Sequence, residues 1–127
     1  MSDSPADAGV VSLAARWYEK AREQAARDGA PPELVADVAE LGELTARIEA
    51  LSALPPPAPE ADGSDIVVRY ERGAELQELN AQVADIMTRG AEDPAEAAVW
   101  QQVAADQRES AALARQAAGI VSDARPA

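Results

Sequence analysis

The chain has 127 residues and a formal net charge of −12, with 23 acidic against 11 basic side chains and a pI near 4.3. It contains no Cys and no His, which excludes disulfides, thiolate chemistry, imidazole ligands and the commonest general base. So acidic a chain is not expected to bind nucleic acid directly, or an anionic membrane, because phosphates select a cationic surface.

The length suits one domain, or two helical hairpins each too small to stand alone. Ala supplies 31 residues, whereas the larger aliphatics are nine Leu, ten Val and four Ile, so the core is thin. A thin core of this kind often gains stability from a second copy or a partner.

The first helix is expected over about Ala6–Arg27, with Val10, Leu13, Ala14, Trp17, Ala21 and Gln24 on one face. Asp28-Gly29 breaks it, with Gly29 suited to the left-handed cap position, and Pro32 opens the next helix. That second helix, about Pro32–Leu54, carries Leu34, Leu41, Leu44, Ile48 and Leu51 at heptad spacing, widened by Val38 and Leu54. Asp37 breaks the heptad, so the pattern describes an amphipathic helix that needs a facing partner and not a free coiled coil. Gly42 is either a weak point or a place where another helix comes close.

Pro55–Pro59 ends the second helix and starts a semi-stiff linker that reaches Ser64. Ile66–Tyr70 suits a short strand or, with Asp65 as cap, the start of a helix. No second strand of comparable quality exists to pair with it, so a helix over about Asp65–Arg89 is expected, with Gly73 as a point of distortion. Leu76, Leu79, Val83 and Ile86, with Met87 alongside, form its apolar face. Arg89-Gly90 closes it. Asp93-Pro94-Ala95-Glu96 then combines an N-cap Asp, a Pro at the first helical position and a Glu three residues after the cap. The fourth helix is expected to reach about Ala118, with Val99, Trp100, Val103, Gln107, Ala111, Ala114 and Ala118 on its face. Arg27–Glu33 and Arg89–Glu96 are loosely alike, a similarity that the common chemistry of helix ends suffices to explain.

The expected organisation is therefore an N-terminal hairpin over 6–54, a linker over 55–64, a C-terminal hairpin over 65–121 and a frayed tail over 122–127. The fold class is all-α, two helical hairpins in a four-helix bundle-like arrangement, with dimerisation as one route to completing it.

Glu33, Asp37 and Glu40 share one helix face, and Glu71, Glu75 and Glu78 share another. Carboxylates alone can hold Ca²⁺ or Mg²⁺, but the calcium-loop signature and the Glu-x-x-His pattern of di-metal bundles are absent, so these read as solvated faces. Phosphate-binding Gly-rich loops and a Gly-x-Ser-x-Gly elbow are also missing, and no Ser has a His to activate it. No catalytic residue, metal or cofactor is expected.

Trp17 and Trp100 lie on apolar faces and serve either as core or as anchors for a partner, with Tyr18 at the edge of such a surface. The candidate partner-binding set is Trp17, Tyr18, Leu41, Leu44, Ile48, Leu51 and Trp100. The expected function is a non-catalytic helical adaptor or accessory subunit with a protein partner or a second copy. The alternatives are an acidic inhibitor or nucleic-acid mimic that blocks a basic surface, and a carboxylate-only metal enzyme. No apolar run is long enough to cross a bilayer, and the N-terminal stretch lacks the features of a signal peptide, so a cytoplasmic location is expected.

Overall fold

In the computed structural model, residues 5–124 are described, with side chains from Ala15 onward. The fold is all-α, and no strand occurs among the described residues. Four helices follow in order: α1 (Pro5–Ala25), α2 (Pro32–Ala53), α3 (Ser64–Arg89) and α4 (Pro94–Asp123). They fall into two compact units, residues 1–43 and 44–127, so α2 contributes to both.

In the first unit the turn after α1 contains Gly29 at φ 81°, the left-handed conformation expected from the sequence. Ala21 and Leu41 are buried, whereas Trp17, Tyr18, Leu34, Val38 and Asp37 are half-buried. Gly42 is a close-approach position: a Cβ placed there would lie 3.2 Å from the Tyr18 hydroxyl. Arg22 lies over the Tyr18 ring at 5.7 Å in a cation–π contact. Gln24, expected on the buried face, is exposed, because Ala25 turns inward at the end of the helix. The side chains of Val10, Leu13 and Ala14 lie outside the described residues.

In the second unit, Ile66–Tyr70 is helix. Gly63 is the N-cap at φ 79°, and Asp65 sits in the first turn instead of capping it. The chain before α3 is fixed by two local carboxylates: Asp65 Oδ1 accepts from the Glu60 amide at 3.1 Å, and Asp62 Oδ1 from the Ser64 amide at 3.0 Å. α3 runs through Gly73 without interruption and ends at Gly90, whose amide donates to Ile86 O at 3.0 Å. α4 starts as its sequence dictates. Asp93 Oδ1 accepts from the Glu96 amide at 2.8 Å, Pro94 opens the helix, and Glu96 Oε2 accepts from the Glu92 amide at 3.2 Å. The helix continues to Asp123, past its expected end. Residues 125–127 of the expected tail lie outside the described residues.

α3 and α4 form an antiparallel pair with their backbones in close approach. A step of seven along α3, from Glu78 to Asp85, is matched by a step of seven back along α4, from Arg115 to Arg108, through the Glu78–Arg115 and Asp85–Arg108 ion pairs. This register fixes the facing residues. Ala74, Gln77, Ala81, Ala84 and Thr88 recur at heptad spacing on α3, as do Trp100, Ala104, Gln107, Ala111, Ala114 and Ala118 on α4. Of these, Ala74, Ala81, Ala84, Trp100, Ala104, Ala111 and Ala118 are buried. Small side chains on both helices allow the axes to approach to about 8 Å, the short end of the usual range. Dispersion contacts along such a seam compensate for the little apolar area that each Ala buries. Gln77 Oε1 is buried in this unit without a hydrogen-bond partner.

α3 is buried on a second face as well. Leu79, Ile86 and Met87 are buried and Leu76 and Val83 half-buried, on a stripe turned well away from the Ala seam. Arg72 belongs to the same stripe and donates from Nη1 to the Pro55 carbonyl at 2.7 Å, which ties the chain just after α2 to α3. The α2 segment of this unit carries buried Leu44 and half-buried Ile48 and Leu51.

Candidate functional site

The sequence-derived partner-binding residues divide by burial. Leu41, Leu44 and Trp100 are 3–4% exposed and form core. Trp17, Tyr18, Ile48 and Leu51 are half-buried, and Tyr18 is turned toward Gly42. The set therefore does not form one exposed patch: Leu41, Leu44 and Trp100 are sequestered by the chain itself.

The exposed apolar bulk lies elsewhere. Val99, Leu113 and Ile120 on α4 are 59%, 58% and 63% exposed. Val99, expected on the core face, lies one residue, or about 100° of helix, from Trp100, outside a seam narrowed by Ala104, Ala111 and Ala118. Leu54, expected to widen the α2 stripe, is likewise 48% exposed, because α2 ends at Ala53.

The outer surface of α4 is organised in rows with a seven-residue repeat. One row is Val99, Asp106, Leu113 and Ile120, flanked toward α3 by Val103, Ser110 and Ala117. The next row outward is Gln102, Glu109, Gln116 and Asp123. On the opposite side of the seam stand Arg108 and Arg115, both engaged with α3. Arg108 binds Asp85 through Nη1–Oδ1 at 3.2 Å and Nη2–Oδ2 at 2.5 Å, and Arg115 donates to Glu78 Oε1. The hydrogen bond from Arg115 holds the Glu78 carboxyl below its ordinary value, outweighing the small penalty of burial. Asp85 and Glu78 in turn raise Arg108 and Arg115 respectively. α3 adds Ile66 and Tyr70, 42% and 40% exposed, at the end of the pair where Gly63 lies against Val121.

No three acidic residues converge on a metal-binding geometry among the described residues, and Glu78 of the α3 acidic face is held by Arg115. A shallow depression lined by Val67, Glu71, Glu75, Arg115, Ala118, Gly119 and Ser122 is open to solvent. No described helix is long and apolar enough to cross a membrane. Comparison with protein-family models, curated proteins and solved structures finds no match for the chain.

The outward stripe is hard to find in the sequence because α4 has two apolar repeats that overlap at Val99 and Val103. The signal that separates them is size: the row of Ala at 104, 111 and 118 can sit at a close helix–helix seam, whereas the row of Val99, Leu113 and Ile120 cannot enter it.

Proposed function

We propose that this protein is a non-catalytic helical adaptor or accessory subunit that binds another protein through the outer face of α4. One observation carries the reading: beyond its Trp100 anchor, α4 buries small side chains at Ala104, Ala111 and Ala118 and exposes the larger aliphatic ones at Val99, Leu113 and Ile120. A helix selected only for stability gains by burying Leu and Ile, at roughly 1.5–3 kcal/mol each, and leaving Ala outside. The reverse arrangement at a regular seven-residue spacing is what a helix needs when its outer face is itself a contact surface. The absence of Cys and His and the open, undifferentiated surface depression support a role without catalysis. A cytoplasmic setting belongs to the same proposal.

The test is cross-linking in the source cells followed by mass spectrometry, with the wild type compared to a Leu113→Glu/Ile120→Glu variant. The adaptor reading expects a partner recovered in stoichiometric amount by the wild type and lost with the variant. Recovery of nothing stoichiometric, or of the same proteins by both, contradicts it. The net charge of −12 supports a second reading, an acidic inhibitor that blocks a basic surface. Its binding would fall steeply with salt and be indifferent to Leu113 and Ile120.

A further inference from the structure

The chemistry of the partner follows from what surrounds the exposed stripe, given the adaptor reading on which this inference rests. We infer that the outer face of α4 receives a basic amphipathic helix, aligned along Val99–Ile120, with cationic side chains set against Asp106, Glu109 and Asp123.

Three features of α4 point to that occupant. The first is periodicity. Val99, Leu113 and Ile120 stand at multiples of seven residues, so they project from one line along the helix at steps of about 10.5 Å per heptad. A second helix presents its own side chains with the same repeat and can follow that line over about six turns, whereas an extended strand repeats too closely to match it.

The second is charge. Glu96, Asp106, Glu109 and Asp123 lie within or beside the stripe, and no cation shares these rows. The two Arg residues described on α4 are on the other side of the seam and are engaged by Asp85 and Glu78. Asp106 interrupts the apolar row midway and accepts from Gln102 Nε2 at 2.8 Å, which holds its carboxylate on this exposed face. An acidic group in the middle of an apolar line costs little while solvated and requires a cation opposite once it is covered. A second copy of this face would instead bring Asp106, Glu109 and Asp123 of both chains together, so like charges oppose self-pairing.

The third is stability of the surface itself. The stripe is carried by the α3–α4 pair, which has its own buried Ala seam and two interhelical ion pairs. The face is therefore formed before a partner arrives, and binding carries little ordering cost on this side.

The experiment measures fluorescence anisotropy with two labelled helical peptides of roughly 20 residues, long enough to span the stripe. Both carry the same Leu heptads; one has Arg at the flanking positions and its twin has Glu. The whole protein is titrated against each at low and high salt, as wild type, as Leu113→Glu/Ile120→Glu and as Asp106→Lys, with circular dichroism confirming the fold of every variant. The Arg peptide is expected to bind the wild type about tenfold more tightly than the Glu peptide, and to weaken as salt rises. The Leu113→Glu/Ile120→Glu variant should lose about tenfold or more of that affinity. Asp106→Lys should weaken the Arg peptide and strengthen the Glu twin.

Equal binding of both peptides, lost in the Leu113→Glu/Ile120→Glu variant, overturns the basic partner while leaving the adaptor surface standing. Arg-peptide binding that ignores that variant overturns the placement on α4. Binding of neither peptide overturns the docking face, and the cross-linking comparison then decides separately whether an adaptor reading survives. A dimer in sedimentation that the Leu113→Glu/Ile120→Glu variant dissociates overturns the inference in favour of a second copy.

Discussion

Individual glycines show how local geometry sets the sign of a substitution. Gly63 caps α3 at φ 79°, so any other residue there is strained by its backbone, although a Cβ would make only an ordinary 3.6 Å contact with Val121 Cγ1. Gly119 lies inside α4 with ordinary helical backbone, and a Cβ added there would meet nothing within 4 Å. Gly119→Ala should therefore stabilise by roughly 1 kcal/mol through helix propensity. Gly63→Ala should destabilise by about 1–2 kcal/mol through the left-handed conformation. Thermal melts of the two variants check this pair: a gain for Gly63→Ala or a loss for Gly119→Ala contradicts the local geometry. The sequence points to Gly29 as a left-handed turn, and of the two readings it leaves for Gly42, weak point or close approach, the structure shows the close approach. It does not reveal that the approaching group is the Tyr18 hydroxyl, because that contact depends on the side-chain direction of a residue on a different helix.

At the scale of the elements, caps and prolines make α2 and α4 legible. Pro32 and the Asp93–Glu96 box start their helices as read, since these signals act within one turn and need no tertiary context. The pairing of α3 is not legible in the same way. Its Leu76–Ile86 stripe marks a buried face, but α4 packs on the other one, through Ala74, Ala81 and Ala84. Ala is both the best helix former and a seam residue, so its heptad spacing is hidden among Ala chosen for propensity alone.

The ion pairs that set the register of this seam are exposed, with side-chain accessibilities near half, so their contribution is modest and screened by salt. Glu78 gives it a pH dependence. Its carboxyl is lowered by Arg115, so its stabilisation is present above the ordinary value of 4.5 and is lost as pH falls through the lowered folded value. Glu78→Gln should lower the melting temperature slightly at neutral pH. The gap to wild type should close in strong acid and at high salt. A gap that stays constant with both would assign the loss to packing and not to charge.

For the whole molecule, the all-α class and the hairpin-forming turns are available from periodicity and caps, whereas the candidate binding face is not. Sequence reading places large apolar residues inside by default, and so it nominates Leu41, Leu44 and Trp100 as interface candidates on stripes that the chain itself buries. The outward row on α4 emerges only once the Ala seam fixes which side of the helix is inward. Beyond Trp100, α4 is packed by small residues and exposes its larger aliphatic side chains at Val99, Leu113 and Ile120. The most direct measurement compares thermal unfolding of a Val99→Glu/Leu113→Glu/Ile120→Glu variant with that of Ala111→Leu. Surface substitutions clear of packed groups cost about 0.5 kcal/mol or less each, so the triple variant should keep its helix content and nearly all of its stability. Ala111 is 0% exposed, so the added bulk of Ala111→Leu should force the helices apart at a cost of about 1–3 kcal/mol or more. An unfolded triple variant beside an unperturbed Ala111→Leu would show instead that α4 turns its other face inward.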